Sequence, residues 1–167
     1  MPVSFLPTVM VDDLTDLTPE LLKSRGVELL MLDFDNTIVP YTTNVPTPEM
    51  ESWLKAMLKS DIPICVVSNS KRDRVKVFCG KYGIDVITHA KKPFHRGINE
   101  CLAKYGKRPE QCALAGDQIY TDTLGARSAG MQAILVKAID NHNFWLKARH
   151  VLELPFIFIA RNRRITT

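Results

Sequence analysis

The chain has 167 residues, 46% of them hydrophobic, enough for one domain with a packed core and too few for two. Its 22 Lys and Arg against 18 Asp and Glu give a net charge of +4, a mild basic bias that suits phosphorylated substrates or an anionic membrane surface; no nucleic-acid partner is expected. The four cysteines, Cys65, Cys79, Cys101 and Cys112, form no CxxC pair and have no His at zinc-ligand spacing, so they read as reduced core thiols and not as a disulfide scaffold or a zinc site.

The opening Met-Pro-Val-Ser-Phe-Leu-Pro lacks the basic start and unbroken apolar core of a secretory signal, and the apolar segments are too short to span a bilayer. A cytoplasmic location is the expectation. Thr18-Pro19-Glu20 reads as an N-cap with Pro at the first helical position, opening a short helix that Gly26 closes. Val27 to Asp33 is almost wholly apolar, as a strand buried on both faces of a parallel sheet must be. Thr47-Pro48-Glu49 repeats the helix start, and Met50, Trp53, Leu54, Met57 and Leu58 recur at helical spacing to make one buried face. The same reading predicts a strand at Ile62 to Val67, a helix at Arg72 to Tyr82, a strand at Asp85 to Ile87 and a helix at Phe94 to Tyr105. A strand at Cys112 to Ala115, a helix at Thr121 to Ala129 and a strand at Gln132 to Val136 complete the series. Strand and helix alternating at this spacing imply right-handed βαβ crossovers, hence a three-layer α/β/α fold with a parallel sheet.

Asp33-Phe34-Asp35-Asn36-Thr37 stands where the first of these strands runs out, and open α/β sheets bind ligands outside the carboxyl ends of their strands. Residues two apart in extended backbone point the same way, so Asp33 and Asp35 can serve one reacting centre, one attacking phosphorus and the other handling protons. Three further strand ends carry polar groups: Ser68-Asn69, Lys92-Pro93, and Gly116-Asp117 continuing to Thr121-Asp122. Each alone has a plainer reading as a cap, a solvated charge or a turn. Together they set a nucleophile, a hydroxyl donor, a cation and a second acidic cluster on one edge of one sheet. Phosphoryl transfer to a carboxylate needs that set, because a phosphate dianion repels the nucleophile until positive charge offsets the repulsion. Mg²⁺, a hard ion with oxygen ligands, suits Asp33 and Asp117. Ser68, Asn69 and Lys92 are the expected contacts to the substrate phosphoryl group. His89, His95, His142 and His150 show no ligand spacing.

In this order, Asp-x-Asp-x-Thr, a Ser after the second strand, a Lys and Gly-Asp-x-x-x-x-Asp resemble the four motifs of the haloacid dehalogenase (HAD) superfamily, from Asp33 to Asp122. The resemblance implies a Rossmann-like HAD fold with Asp33 as nucleophile, Asp35 as general acid then base, and Thr37 shaping the loop. It further implies Ser68 on the phosphoryl group and Lys92 steadying nucleophile and phosphate. Mg²⁺ would be held by Asp33, Asp117 and the backbone carbonyl of Asp35, with Asp122 reaching it through water. The second carboxylate, Asp35, is associated with phosphatases and phosphotransferases and not with dehalogenases. More narrowly, Leu17-Thr18-Pro19-Glu20, Asp33-Phe34-Asp35-Asn36-Thr37 and Gly116-Asp117-Gln118 with Thr121-Asp122 look like the YqeG-type IIIA phosphatases, which in turn resemble mitochondrial phosphatidylglycerophosphate phosphatases. A lipid phosphate substrate follows from that likeness alone, since one fold family accepts many phosphoesters.

Thirty residues separate Thr37 from Ser68 and 23 separate Ser68 from Lys92, each stretch consumed by one helix and one strand, which leaves no room for a cap domain. An open site suits a bulky or membrane-embedded phosphomonoester unless a partner closes it. The expected division is a capless core at 1–136 and a basic, aromatic extension at 137–167. That extension holds Phe144, Trp145, Phe156 and Phe158 among Lys137, Lys147, Arg149, Arg161, Arg163 and Arg164, and reads either as a helix packed on the core or as a peripheral membrane contact. Two rival readings are a receiver-type phosphate-accepting module and an inactive scaffold of the same fold.

Overall fold

The computed structural model describes residues 4–71, 73–139 and 154–160. Six parallel strands, β1 (Val9–Val11), β2 (Leu29–Leu32), β3 (Ile64–Val67), β4 (Asp85–Ile87), β5 (Cys112–Gly116) and β6 (Gln132–Val136), form one sheet in the order β1-β6-β5-β2-β3-β4. The helices between them are α1 (Pro19–Ser24), α2 (Pro48–Leu58), α3 (Asp73–Tyr82), α4 (Arg96–Tyr105) and α5 (Leu124–Ser128).

Alternation along the central strands builds the three layers. Leu30 and Leu32 of β2 cluster with Met50, Trp53, Leu54 and Met57 of α2 and with Val75, Phe78 and Cys79 of α3. Their neighbours Leu29 and Met31 cluster on the opposite face with Ile98, Cys101 and Leu102 of α4 and Ala126 of α5. All four residues of β2 are buried, which is why its sequence lacks polar alternation. Both helix starts form as expected: the hydroxyls of Thr18 and Thr47 accept from the backbone N–H groups of Leu21 and Met50, and Pro follows each cap. Trp53, facing the core, donates its indole N–H to the Leu17 carbonyl at 2.7 Å, so its burial leaves no orphaned donor.

From β2 the chain winds outward through β3 and β4, then crosses back to lay β5 on the other side of β2. The crevice at the carboxyl ends of β2 and β5 is therefore the switch point where open α/β sheets hold ligands. Among the described residues, one helix separates β2 from β3 and one separates β3 from β4, so neither connection carries a cap.

Several elements differ from the sequence reading, among them β3, which begins at Ile64 and not Ile62, and α4, which begins at Arg96 and not Phe94. The first long strand begins at Leu29 and not Val27, because the Val27 N–H closes the end of α1 on the Leu22 carbonyl at 2.9 Å. β1, too short to show a period, was outside the expected series; it extends the sheet beyond β6, where the Thr8 N–H donates to the Ala133 carbonyl at 2.8 Å. The helix expected over Thr121 to Ala129 opens as a wide π-type turn, Ile119–Thr123, before α5. There the Gln118 carbonyl accepts from both the Asp122 and Thr123 N–H groups, at 2.9 and 3.1 Å, which turns those two side chains inward. Residues 154–160 are helical. Phe144, Trp145, Lys147, Arg149, Arg161, Arg163 and Arg164 lie outside the described residues. Among the described residues no helix is long and apolar enough to cross a membrane.

All four cysteines are free and buried, and burial pushes the Cys79 thiol up to about 12 and that of Cys112 to about 11. The folded protein should therefore leave all four unreacted towards a thiol-specific chromogenic disulfide, and denaturant should expose all four. Rapid modification of a thiol in the folded chain would contradict this core.

Candidate active site

β2 continues one residue past its last paired strand position: the Asp33 N–H donates to the Ala115 carbonyl of β5 at 2.9 Å, fixing Asp33 over the crevice. The chain then reverses. Asp35 bridges Val39, the Asn36 N–H donates to the Val39 carbonyl at 2.8 Å, and Asn36 itself takes a left-handed φ of 59°. Asn tolerates that region because its short amide can bond locally, and here its Oδ1 accepts from the Tyr41 N–H at 3.2 Å. Thr37, fully buried in this turn, keeps an Oγ1 with no hydrogen-bond partner among the described residues.

Lys92 reaches in from the loop between β4 and α4 and is only 5% exposed. Its Nζ lies 2.7 Å from Asp33 Oδ1 and 2.7 Å from Asp122 Oδ1. Burial alone would push this ammonium down. The carboxylates of Asp122 and Asp33 outweigh burial and hold Lys92 above its ordinary value, so it stays a cation. Asn69 fastens the loop that carries it: Oδ1 accepts from the Lys92 N–H at 2.7 Å and Nδ2 donates to the Lys92 carbonyl at 2.9 Å. Expected as a phosphate contact, Asn69 has its amide committed to the Lys92 main chain. Beneath the loop, Gly97 of α4 lies so close to Ala90 that a Cβ there would collide with it.

The π-type turn after β5 supplies the other carboxylates. A Cβ on Gly116 would overlap the Asp122 side chain, so only glycine lets that carboxylate pack beneath the strand end. Asp122 Oδ2 accepts from the Gln118 N–H at 3.2 Å. Burial raises the Asp122 carboxyl, as does the neighbouring Asp33 carboxylate, against the pull of Lys92. Asp33, Asp117 and Asp122 are all buried, and each offers an oxygen within 4.8 Å of the others. This all-oxygen donor set fits a hard divalent cation.

Ser68 follows β3 at the same edge, 2% exposed, its Oγ accepting from the Ser70 N–H at 3.1 Å. The structure thus brings Asp33, Thr37, Ser68, Lys92, Asp117 and Asp122 to one edge of the sheet. These six, with Asn36 and Thr123, are all the buried polar or charged residues among those described. Asp35 points to a partner that sequence reading missed: Arg74, on the first turn of α3, forms an ion pair with its Oδ1. An Arg at the start of an amphipathic helix reads as a solvated charge, and nothing in its spacing signals otherwise.

Against known proteins, the sequence profile of the family described as mitochondrial PGP phosphatase matches residues 1–139. The chain is 36% identical over 132 residues to the Bacillus subtilis (strain 168) protein called probable phosphatase YqeG, covering 79% of this chain and 77% of that one. It is 25% identical over 165 residues to phosphatidylglycerophosphate phosphatase 1, chloroplastic/mitochondrial, of Arabidopsis thaliana, covering 93% of this chain and 47% of that longer one. Among solved structures, the cobalt-bound deoxy-D-mannose-octulosonate 8-phosphate phosphatase YrbI of Haemophilus influenzae shares the fold, with a TM-score of 0.55 at 12% identity over 83% of this chain and 92% of that one.

The charge arrangement is testable without turnover. Removing the Lys92 ammonium leaves buried carboxylates uncompensated, which typically costs about 3–5 kcal/mol. Lys92→Met should lose stability of that order in urea melts with EDTA above neutral pH, and should regain part of it on adding Mg²⁺. Unchanged stability with EDTA would mean that the ammonium does not hold the cluster together.

Proposed function

Because the chain belongs to the mitochondrial PGP phosphatase family, and with it to the HAD superfamily, we propose that this phosphatase is a Mg²⁺-dependent phosphomonoester hydrolase that works through an aspartyl-phosphate on Asp33. The observation that carries the reading is the Asp33 carboxylate held at 2.7 Å by a buried Lys92, with Asp117 and Asp122 beside it.

With Oδ1 engaged by the ammonium, Asp33 keeps one orientation and attacks phosphorus through Oδ2. The bond from phosphorus to the substrate alcohol breaks as the bond to Asp33 forms. Asp35, carrying a proton on Oδ2 while Arg74 holds Oδ1, gives it to the departing oxygen, then takes one from the water that attacks the acyl phosphate, which releases inorganic phosphate and restores the Asp33 carboxylate. Ser68 and the backbone N–H groups of its loop receive the transferring oxygens, and Lys92 offsets their charge. Mg²⁺, held by Asp33, Asp117 and the Asp35 carbonyl, with Asp122 reaching it through water, would supply the further positive charge that lets a dianionic phosphate meet a carboxylate.

The proposed substrate is a lipid phosphate, with phosphatidylglycerophosphate the first candidate on the name of the Arabidopsis relative. Two features support it. The site has no cap, and Tyr41, Val45 and Phe94 are exposed in the loops that follow β2 and β4. In the helix at 154–160, Leu154, Phe158 and Ile159 are exposed, and Arg161, Arg163 and Arg164 follow in sequence, a composition suited to a peripheral contact with an anionic surface on the cytosolic side.

Asp33→Asn should abolish turnover in a folded protein, and Asp35→Asn should lower it by roughly 10²–10⁴ fold. EDTA should remove activity and Mg²⁺ restore it, with the larger Ca²⁺ a poor substitute. Full hydrolysis by Asp33→Asn or by metal-stripped protein would overturn the mechanism. Turnover of soluble phosphomonoesters without hydrolysis of phosphatidylglycerophosphate in detergent would remove the lipid assignment alone.

A further inference from the structure

Among the described residues, most ion pairs are solvated. Lys23–Asp61, Lys55–Glu51, Lys104–Asp85 and Lys107–Glu28 all lie on exposed or half-exposed side chains, where such pairs contribute little. Besides the two pairs of Lys92, the exception is Arg74–Asp35, each side chain 13% exposed. Arg74 Nη1 donates to the Tyr41 carbonyl at 2.8 Å and Nη2 to the Pro40 carbonyl at 3.4 Å, while Nη2 also holds Asp35 Oδ1. The guanidinium lies over the Phe34 ring, 5.2 Å from its centroid, and over Tyr41 at 5.8 Å. One planar group therefore grips the reversing turn at 34, 35, 40 and 41. A lysine, a point charge on a flexible stem, could not satisfy a carboxylate and two carbonyls in this fork.

We propose that Arg74 is the positioning residue for Asp35: by fixing the turn on both sides and holding Oδ1, it aims the carboxyl group at the leaving-group oxygen. The inference rests on the reading of Asp35 as the proton donor. Its consequence depends on the leaving group. An alkyl alkoxide needs a proton as its bond to phosphorus breaks, and transfer falls steeply when donor geometry loosens. A nitrophenolate leaves without one. Loss of the Arg74 fork must therefore slow formation of the acyl phosphate selectively from alkyl phosphates, which kcat/KM reports, whereas general damage to the site lowers kcat/KM on both esters.

The experiment measures kcat and KM of the Mg²⁺-loaded full chain on a simple alkyl phosphate and on p-nitrophenyl phosphate, for wild type, Arg74→Lys, Arg74→Gln, Asp35→Asn and Asp35→Asn/Arg74→Lys. Thermal unfolding confirms that each variant is folded, and the conservative Arg74→Lys carries the test if Arg74→Gln is not. The expected result is a loss in kcat/KM of about tenfold or more on the alkyl ester for Arg74→Lys, against less than about threefold on the aryl ester; kcat also contains hydrolysis of the acyl phosphate common to both esters and does not discriminate. In the Asp35→Asn background the same substitution should no longer alter the alkyl-to-aryl ratio. Equal losses of kcat/KM on both esters, no loss on either, or a selective loss that persists without the Asp35 carboxyl would overturn the positioning role. If Asp35→Asn itself leaves the ratio unchanged, the proton-donor reading fails, and the Arg74 inference fails with it.

Discussion

Burying an ammonium between two carboxylates is the constraint on which the site depends. Lys92 loses nearly all its water, and removing an ion from water costs several kcal/mol unless good partners replace the solvent. Asp33 and Asp122 replace it at 2.7 Å each. That requirement ties three loops together. The strand end carrying Asp33 must meet the π-type turn carrying Asp122, and both must meet the loop that Asn69 fastens at the Lys92 main chain. Gly116 permits the closest of these approaches, since any side chain there would occupy the space of Asp122.

The arrangement is poised rather than settled. The ammonium pairs with Asp33 and Asp122, and Asp117 sets a third buried carboxylate oxygen close to theirs, an all-oxygen group suited to a hard cation. Raised proton affinity at Asp122 has the same origin, namely burial and a like charge with one positive neighbour to offset them. In the proposed mechanism Mg²⁺ would supply positive charge beside Asp33, which the anionic phosphoryl group also needs.

Much of this was legible in the sequence because a parallel sheet delivers every strand end to one edge. Once Val27 to Asp33, Ile62 to Val67 and Cys112 to Ala115 read as buried strands, the polar residues after them had to converge, whatever lay between. What escaped had no periodic signal. Val9–Val11 is too short to alternate, and the opening of the last predicted helix into a π-type turn depends on Gln118 accepting two N–H groups. Asn69 looked like a phosphate ligand because its neighbour Ser68 did, and only the fold sets its amide on the main chain of a residue 23 positions away. Arg74 shows the limit most clearly: on a helix start it is one basic residue among many, and its meaning comes from the turn that α3 packs against.

The central claim is that the cluster exists to make Asp33 a nucleophile. Acid quenching during turnover of a phosphomonoester labelled in its phosphorus, followed by peptide mapping, tests this most directly. The account predicts a transient covalent label, stable to acid and released by hydroxylamine, confined to the peptide that contains Asp33. Label on another residue, or product formation with no covalent phosphoprotein at any quench time, would contradict it.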